Sequence, residues 1–344
     1  MKIMGLDIGG ANIDCAVVEI YENMAKIIET KRKYLPMWIE NDKLSDNLKT
    51  ISKEISEVEI VCVSMTAELA DSYLSKIDGV NDVINKVLKV YSDKKVYFVT
   101  VEGLKENNEL KKNPIIVAAA NWIGTVAVIK NIKESCIFMD IGSTTTDIIP
   151  IKNKKECALG HNDLERLSSG ELVYTGMLRT NLATIVHEVP INNKNTRVSS
   201  ELFSITGDIY RILNDITEED YTCSTPDNQG TDLISCKRRL ARLVCADLDL
   251  LNDDELYELA HYIKEKQICQ IYDALSQVHS RTNINTVIVT SIGTGNLCEI
   301  AAKRLGLDVL SLENYLTKKA SHVLTAIGAI QLYLDEKKNE IKIL

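Results

Sequence analysis

The chain has 344 residues, 45% of them apolar, enough to fill the cores of two domains of ordinary size. Lys and Arg number 40 against 49 Asp and Glu, and the net charge of −9 excludes a general nucleic-acid binder, which would carry a basic patch. The longest apolar run, Ile115–Ile129, has 15 residues and contains Asn121, short of the roughly 20 that a membrane-spanning helix needs. With a strand opening at Lys2 and no signal peptide ahead of it, the expectation is a soluble, cytoplasmic protein with no membrane partner.

Three strands are predicted first, over Lys2–Ile8, Ile13–Ile20 and Lys26–Lys33, with turns at Gly9-Gly10 and at Tyr21-Glu22-Asn23. Helical spacing follows over Leu44–Ile55, then a buried strand over Val58–Met65. Glu68–Tyr91 reads as helix with a break at Asp78-Gly79, and Lys95–Val101 as another strand. Pro114 is expected to open the apolar helix, a position that suits proline because its missing N–H would be unbonded there anyway. This is a first α/β half.

Cys136–Met139 and Ile148–Ile151 are apolar strands around Asp140-Ile141-Gly142-Ser143-Thr144-Thr145-Thr146-Asp147. A strand, a turn of small hydroxyl residues and a strand make a β-hairpin. Its tip can offer N–H and hydroxyl groups to an anion, and its flanking carboxylates can hold a divalent cation beside it. Ser168-Ser169-Gly170-Glu171 ahead of Leu172 and Val173 reads as a helix start. Asn192–Asn195 is a polar loop and Leu202–Leu213 a helix. Asp215–Asp232 is acidic and turn-rich, a solvated loop or a lid over a site. Long helices are expected over Asp232–Leu248 and Asp253–His279, the first with a basic face of Lys237, Arg238, Arg239 and Arg242 that pairs with acidic neighbours.

Thr286–Thr290 is a strand that runs through a turn containing Gly293 and Gly295 into a helix, a plausible place for phosphate at a helix N-terminus. The third glycine of a dinucleotide fingerprint is replaced by Cys298, and no P-loop motif occurs. Val323–Leu334 closes the chain as a helix in which Gly328 permits close packing. The nine cysteines stand singly with no C-x-x-C pair, so they read as reduced structural thiols, and the five histidines suggest no zinc site.

The second hairpin repeats the first. Asp7-Ile8-Gly9-Gly10-Ala11-Asn12-Ile13-Asp14 aligns with Asp140–Asp147, pairing Asp7 with Asp140, Gly9 with Gly142 and Asp14 with Asp147, 133 residues on. A repeat at that distance speaks for two similar domains whose hairpins face one another and grip one phosphate chain. Asp7 and Asp140, at equivalent points, are the candidate Mg²⁺ ligands. Gly9, Gly10, Asn12, Gly142 and the hydroxyls of Ser143, Thr144, Thr145 and Thr146 are the candidate anion donors.

Three glycine-containing turns in this order resemble the actin/hexokinase/heat-shock-protein superfamily. The resemblance implies two duplicated ribonuclease-H-like domains with a phosphate-binding cleft between them, over 1–134 and 135–344. The C-terminal helix, about 320–336, is expected to pack back on the first domain. Gly293 and Gly295 would belong to the adenosine loop, and Asn121-Trp122 and Ala326–Ala329 to the connecting helices. The Asp-x-Gly-Ser-Thr-Thr-Thr-Asp form is closest to the hydantoinase/oxoprolinase branch.

A narrower resemblance covers nearly the whole chain. Asp-Ile-Gly-Gly-Ala-Asn, Ala-Asn-Trp, the second hairpin and Tyr174-Thr-Gly-Met-Leu-Arg-Thr180 together resemble the archaeal methanofuran-biosynthesis condensing enzymes. That resemblance implies a transferase that joins an aminomethylfuran-methanol diphosphate to γ-glutamyltyramine, forming an aryl ether and releasing diphosphate. Mg²⁺ is then the cofactor and ATP is not required. Asn121 stands where kinases of the superfamily keep a carboxylate, and an amide takes no proton near neutral pH; Asp163 or Glu171 remain substitutes. Asp147, Asp140 and Asn121 are therefore the catalytic candidates, with Asp147 as a base toward the phenol. Arg179 and Glu171 are the candidates to hold the acceptor's amino-acid head. The alternative is an ATP-dependent kinase or a ring-opening hydrolase of the same superfamily. The oligomeric state stays open, a homo-oligomer included.

Overall fold

The computed structural model describes residues 1–22, 24–337 and 341–343. Asn23, part of the expected Tyr21–Asn23 turn, lies outside them. The first sheet is built from β1 (Lys2–Ile8), β2 (Asn12–Tyr21), β3 (Met24–Tyr34), β4 (Ile60–Met65), β5 (Lys95–Thr100) and β6 (Gly103–Glu106), in the order β3-β2-β1-β4-β5-β6. The chain continues through β7 (Cys136–Ile141), β8 (Thr146–Lys152), β9 (Lys155–Glu156), β10 (Leu172–Val173), β11 (Glu188–Ile191), β12 (Lys194–Arg197), β13 (Thr286–Ser291) and β14 (Asp308–Ser311). The second sheet has the order β10-β8-β7-β13-β14, with β9 beside β8.

The order β3-β2-β1-β4-β5 of the first sheet matches β10-β8-β7-β13-β14 of the second, with β6 and β9 added at the sides. In each, a hairpin (β1–β2, β7–β8) extends antiparallel to a third strand, and on the other side one later strand pairs in parallel with the first strand and a second with that one. This is the duplicated ribonuclease-H-like arrangement. Alternation along the strands explains the layering, since successive side chains point to opposite faces. Met4, Leu6 and Ile8 face one core of the first sheet, while Ile3 faces the other. Ile137, Met139 and Ile141 face the core of the second half, while Cys136 and Phe138 face the layer shared with the first.

That shared layer is filled by the helices Asn121–Ile132 and Leu324–Glu336. Their crossing depends on glycine: a Cβ on Gly328 would fall 2.0 Å from the Gly124 carbonyl oxygen, and one on Gly5 1.9 Å from that of Ala326. The C-terminal helix therefore lies directly on β1. Among the described residues no helix is long and apolar enough to cross a membrane.

Several local expectations give way to packing. The break in Glu68–Tyr91 falls before Lys76, and Gly79 sits inside the helix Lys76–Val90 because a side chain there would strike the Glu68 backbone. The apolar helix after Pro114 is split: a short turn over Pro114–Val117 ends at Ala119, whose φ is +50°, and the helix proper starts at Asn121. Ser168–Glu171 is a helix end. Asp163–Ser169 closes on Gly170 in the left-handed region, as C-terminal glycines do. Asn192 and Asn193, both at positive φ, form the tip of the β11–β12 hairpin.

The helix Leu233–Arg242 ends earlier than expected, and its Arg239 is buried against Asp208 and Asp227. Arg242 also meets Asp227, and Lys237 meets Asp253, so three members of the basic face pair as expected. The segment 215–232 is anchored in the second core, and its Thr222 borders the cleft described below. Ile216 and Tyr221 are core residues, and the Tyr221 hydroxyl donates to the buried Asp208 carboxylate at 2.9 Å.

Candidate active site

Each hairpin sets two aspartates side by side. In an antiparallel pair, residues directly opposite lie on the same face. Asp7 is paired with Asp14 across β1–β2, and Asp140 with Asp147 across β7–β8. All four line one cleft of about 620 Å³ between the halves. Gly9, Gly10, Ala11 and Asn12 border it from one hairpin, and Gly142, Ser143, Thr144 and Thr145 from the other.

The tips share one backbone design. Gly9 N–H donates to the Asn12 carbonyl and Gly142 N–H to that of Thr145, both at 2.9 Å, which closes each turn. The carbonyls are then tied back into the protein. Met37 and Leu35 N–H reach Gly10 and Ala11, while Met177 and Leu178 N–H reach Gly142 and Ser143. Among the described residues the N–H groups of Gly10, Ala11, Ser143 and Thr144 have no acceptor. Free donors with tethered acceptors make a concave anion site. The strand of chain beneath the second tip can approach because residue 176 is glycine; a Cβ there would lie 2.6 Å from the Ser143 and Thr144 backbone.

The carboxylates fall into two classes. Asp14 accepts both Nε and a terminal nitrogen of Arg32 at 2.7 Å, a bidentate pair. Asp147 accepts Arg166 at 2.8 Å. Asp7 accepts only the Ser64 hydroxyl, at 2.7 Å, and Asp140 has no hydrogen-bond donor among the described residues. Burial pushes both Asp7 and Asp140 up to about 7, with neighbouring aspartates adding to it. Two poorly compensated carboxylates lining one cleft suit a cation.

Those two carboxylates suit Mg²⁺, which keeps several waters and takes one or two carboxylates along with substrate phosphates. Among the described residues no group of three or more His, Cys, Asp or Glu side chains forms a ready-made metal cage.

Of the other expected site residues, Asn121 and Arg179 line the cleft. Arg179 stacks over Trp38 at 4.2 Å and reaches the Thr144 hydroxyl at 3.4 Å. Among the described residues it has no carboxylate within ion-pairing distance. Three expectations are corrected. Glu171 is buried away from the cleft, its carboxylate taken by the N–H groups of Leu159 and Gly160 and by Arg281. Thr146 is also buried and donates its hydroxyl to the Thr175 carbonyl. Gly293 and Gly295 do not border the cleft; Gly293 is pressed against the Asp215 carbonyl and Gly295 against Met177 and Leu297. Asp147 borders the cleft with one carboxylate oxygen accepting Arg166.

Sequence reasoning missed Arg32 and Arg166. Arg32 had a signal, since its period-2 position on β3 is opposite Asp14. Arg166 had none, because the turn that brings its helix under Asp147 is irregular. Asp14 and Asp163 also border the cleft.

The hydantoinase/oxoprolinase family profile matches residues 59–331. A (4-{4-[2-(gamma-L-glutamylamino)ethyl]phenoxymethyl}furan-2-yl)methanamine synthase of Methanocaldococcus jannaschii is 44% identical over 297 residues, covering 85% of this chain and 87% of that protein. The synthase of the same name from Methanococcus vannielii is 39% identical over 166 residues, covering 48% of this chain and 74% of the relative. Among solved structures, nucleotide-free acetone carboxylase, an enzyme of ATP-dependent acetone carboxylation, superposes with a TM-score of 0.59 at 11% identity, over 95% of this chain and 69% of that one, a likeness of fold alone. The chain belongs to the hydantoinase/oxoprolinase family and, within it, to the family of (4-{4-[2-(gamma-L-glutamylamino)ethyl]phenoxymethyl}furan-2-yl)methanamine synthases.

Proposed function

We propose that this protein is a diphosphate-displacing transferase of methanofuran biosynthesis. It condenses 5-(aminomethyl)-3-furanmethanol diphosphate with γ-glutamyltyramine. The relatives' product name contains a phenoxymethyl-furan, an ether between a phenol and a furanylmethyl carbon. The observation that carries the reading for this chain is that Asp7 and Asp140, both poorly compensated, line one cleft together with two hairpin tips that have free N–H groups.

The reaction forms one bond and breaks one. The phenol oxygen bonds to the furan methylene carbon as the bond from that carbon to the diphosphate oxygen breaks. The electron pair leaves with the diphosphate, and the phenolic proton passes to the departing anion. A furan ring spreads the positive charge that develops on its methylene carbon, so the chief demand is stabilisation of the leaving group. Gly10, Ala11, Ser143 and Thr144 donate N–H groups to that anion from opposite sides. Mg²⁺ held by Asp7 and Asp140 would supply the charge the backbone donors lack.

Arg32 and Arg166 neutralise Asp14 and Asp147, so the four-aspartate cleft does not repel the diphosphate outright. Arg179 is the available guanidinium for the carboxylate of the acceptor's glutamyl head. ATP has no role in this chemistry. The test is an assay with purified protein, both substrates and Mg²⁺ without nucleotide, followed by mass spectrometry. Ether product with stoichiometric diphosphate is expected, whereas a strict need for ATP with ADP formed would overturn the proposal.

A further inference from the structure

Trp38 is a half-buried tryptophan on the cleft wall. Among the described residues it belongs to none of the three apolar clusters that build the cores. Its ring instead lies under the Arg179 guanidinium at 4.2 Å, the closest cation–ring contact among the described residues. Tryptophan offers the best aromatic face for a cation. A guanidinium stacked flat on that face keeps its in-plane N–H groups free for an acceptor.

The two partners come from opposite halves, and each is tied to a hairpin tip. Trp38 follows Met37 in the short helix Met37–Glu40. The Met37 N–H donates to the Gly10 carbonyl at 2.9 Å, and its carbonyl accepts the Ser72 hydroxyl at 2.8 Å. On the other side, the Arg179 N–H donates to the Ser143 carbonyl at 2.9 Å. The backbone at both ends of the stack is therefore fixed, while the long arginine side chain must be ordered by what it touches. Its one hydrogen bond among the described residues, to the Thr144 hydroxyl at 3.4 Å, is a long one. The Trp38 face is the contact that sets where the guanidinium points.

We propose that Trp38 is a positioning residue, which holds the Arg179 guanidinium so that its in-plane donors meet an oxyanion of the bound substrates. This role rests on the transferase reading above, in which that oxyanion is the carboxylate of the acceptor. The donor's diphosphate has the same chemistry, and the two are told apart by titrating each ligand separately. The role needs both a flat cation and an aromatic face. A leucine at 38 would keep apolar bulk on the cleft wall but offer no π-face, whereas a phenylalanine would keep one.

The test is calorimetric titration of γ-glutamyltyramine and, separately, of diphosphate with Mg²⁺. It uses wild-type protein, Arg179→Ala, Trp38→Leu, Trp38→Phe and the double variant of Arg179→Ala with Trp38→Leu, and needs no turnover. Arg179→Ala and Trp38→Leu should each raise the acceptor Kd about tenfold, the size of one charged contact. The double variant should also lose about tenfold rather than about 100-fold, because residues that act through one another are not additive. Trp38→Phe should stay within about threefold of wild type, since it keeps an aromatic face. The same non-additive loss on diphosphate instead of the acceptor would uphold the role of Trp38 and move Arg179 to the leaving group. Losses that multiply, Trp38→Leu binding both ligands as wild type does, or Arg179→Ala weakening neither ligand would overturn the role and leave the transferase intact. Wild-type protein that shows the coupling but forms no ether from the two substrates would overturn the transferase and leave the role of Trp38 standing.

Discussion

The two hairpins reach the same electrostatic state by different routes. In the first, Asp14 is neutralised by Arg32 from the adjoining strand β3, an 11-residue strand whose register places the two opposite each other. In the second, the corresponding strand β10 has two residues, and the cation comes from the helix Asp163–Ser169. Arg166 is buried and stacked near Trp122, while Arg32 is 41% exposed. The leading aspartates differ as well. Asp7 keeps a hydrogen bond from Ser64 on β4, whereas Asp140, paired with Thr290 at the equivalent point of β13, has none among the described residues. What the halves have in common is one aspartate paired with an arginine and one without a cation, an arrangement that suits the proposed metal-diphosphate.

The largest effect expected from breaking this pattern is on turnover. Asp140→Asn should lower kcat/KM by about 100- to 1,000-fold, the range seen when an electrostatic contact to a developing charge is removed. Asp7→Asn should lower it less, because the asparagine keeps the Ser64 contact. Steady-state kinetics on both variants, with circular dichroism to show that the fold is retained, ranks the two hairpins. Equal activity of Asp140→Asn and wild type would remove Asp140 from the site.

The two arginines should separate in stability. Arg166→Ala leaves Asp147 without its partner in a largely enclosed setting, where such losses run to about 3–5 kcal/mol. Arg32→Ala acts at an exposed position and should cost about 1 kcal/mol or less. Urea unfolding of the two variants measures the gap, and similar values would mean that the routes are energetically alike after all.

The pH dependence follows from the two unneutralised aspartates. An aspartate in the unfolded chain titrates near ~3.9, and Asp7 and Asp140 titrate at about 7 in the folded protein. Between those values the folded state binds more protons, so metal-free stability falls as pH rises from about 4 to about 7. A cation at the pair removes that loss. Added Mg²⁺ should therefore raise the Tm at about pH 7.5 and leave it unchanged at about pH 5. A rise of equal size at both would place the metal elsewhere.

The smallest effect concerns Arg179, which belongs to neither pair. Arg179→Ala should raise KM for the acceptor about tenfold, the size of one charged hydrogen bond, with little change for the donor. Equal changes in both would assign it to the diphosphate instead.

The hairpins were legible because their chemistry is local. Asp7 and Asp140 follow an apolar strand and precede a glycine, and the repeat itself announces the duplication. Gly328 was legible for a similar reason, as a small residue inside an apolar helix. Arg32 was readable in principle from alternation along its strand. Glu171 was misread because Ser-Ser-Gly-Glu looks the same at a helix start as at a helix end, and only the left-handed Gly170 decides between them. Trp38 and Arg166 left no trace in the sequence, since each acquires its meaning from segments far away: Trp38 from Arg179, and Arg166 from Asp147 and Trp122. Gly293 and Gly295 looked like a ligand turn, but the 215–216 segment and Met177 occupy the space beside them.

Joint binding of one metal-bound diphosphate by the two unneutralised aspartates underlies the proposed reaction. Its most direct test is diffraction from crystals soaked with diphosphate and Mn²⁺, whose anomalous signal locates the ion in place of Mg²⁺. One metal is expected at Asp7 and Asp140, with the diphosphate spanning the N–H groups of Gly10 and Ala11 on one side and of Ser143 and Thr144 on the other. Metal bound at neither aspartate, or diphosphate confined to a single hairpin, would contradict it.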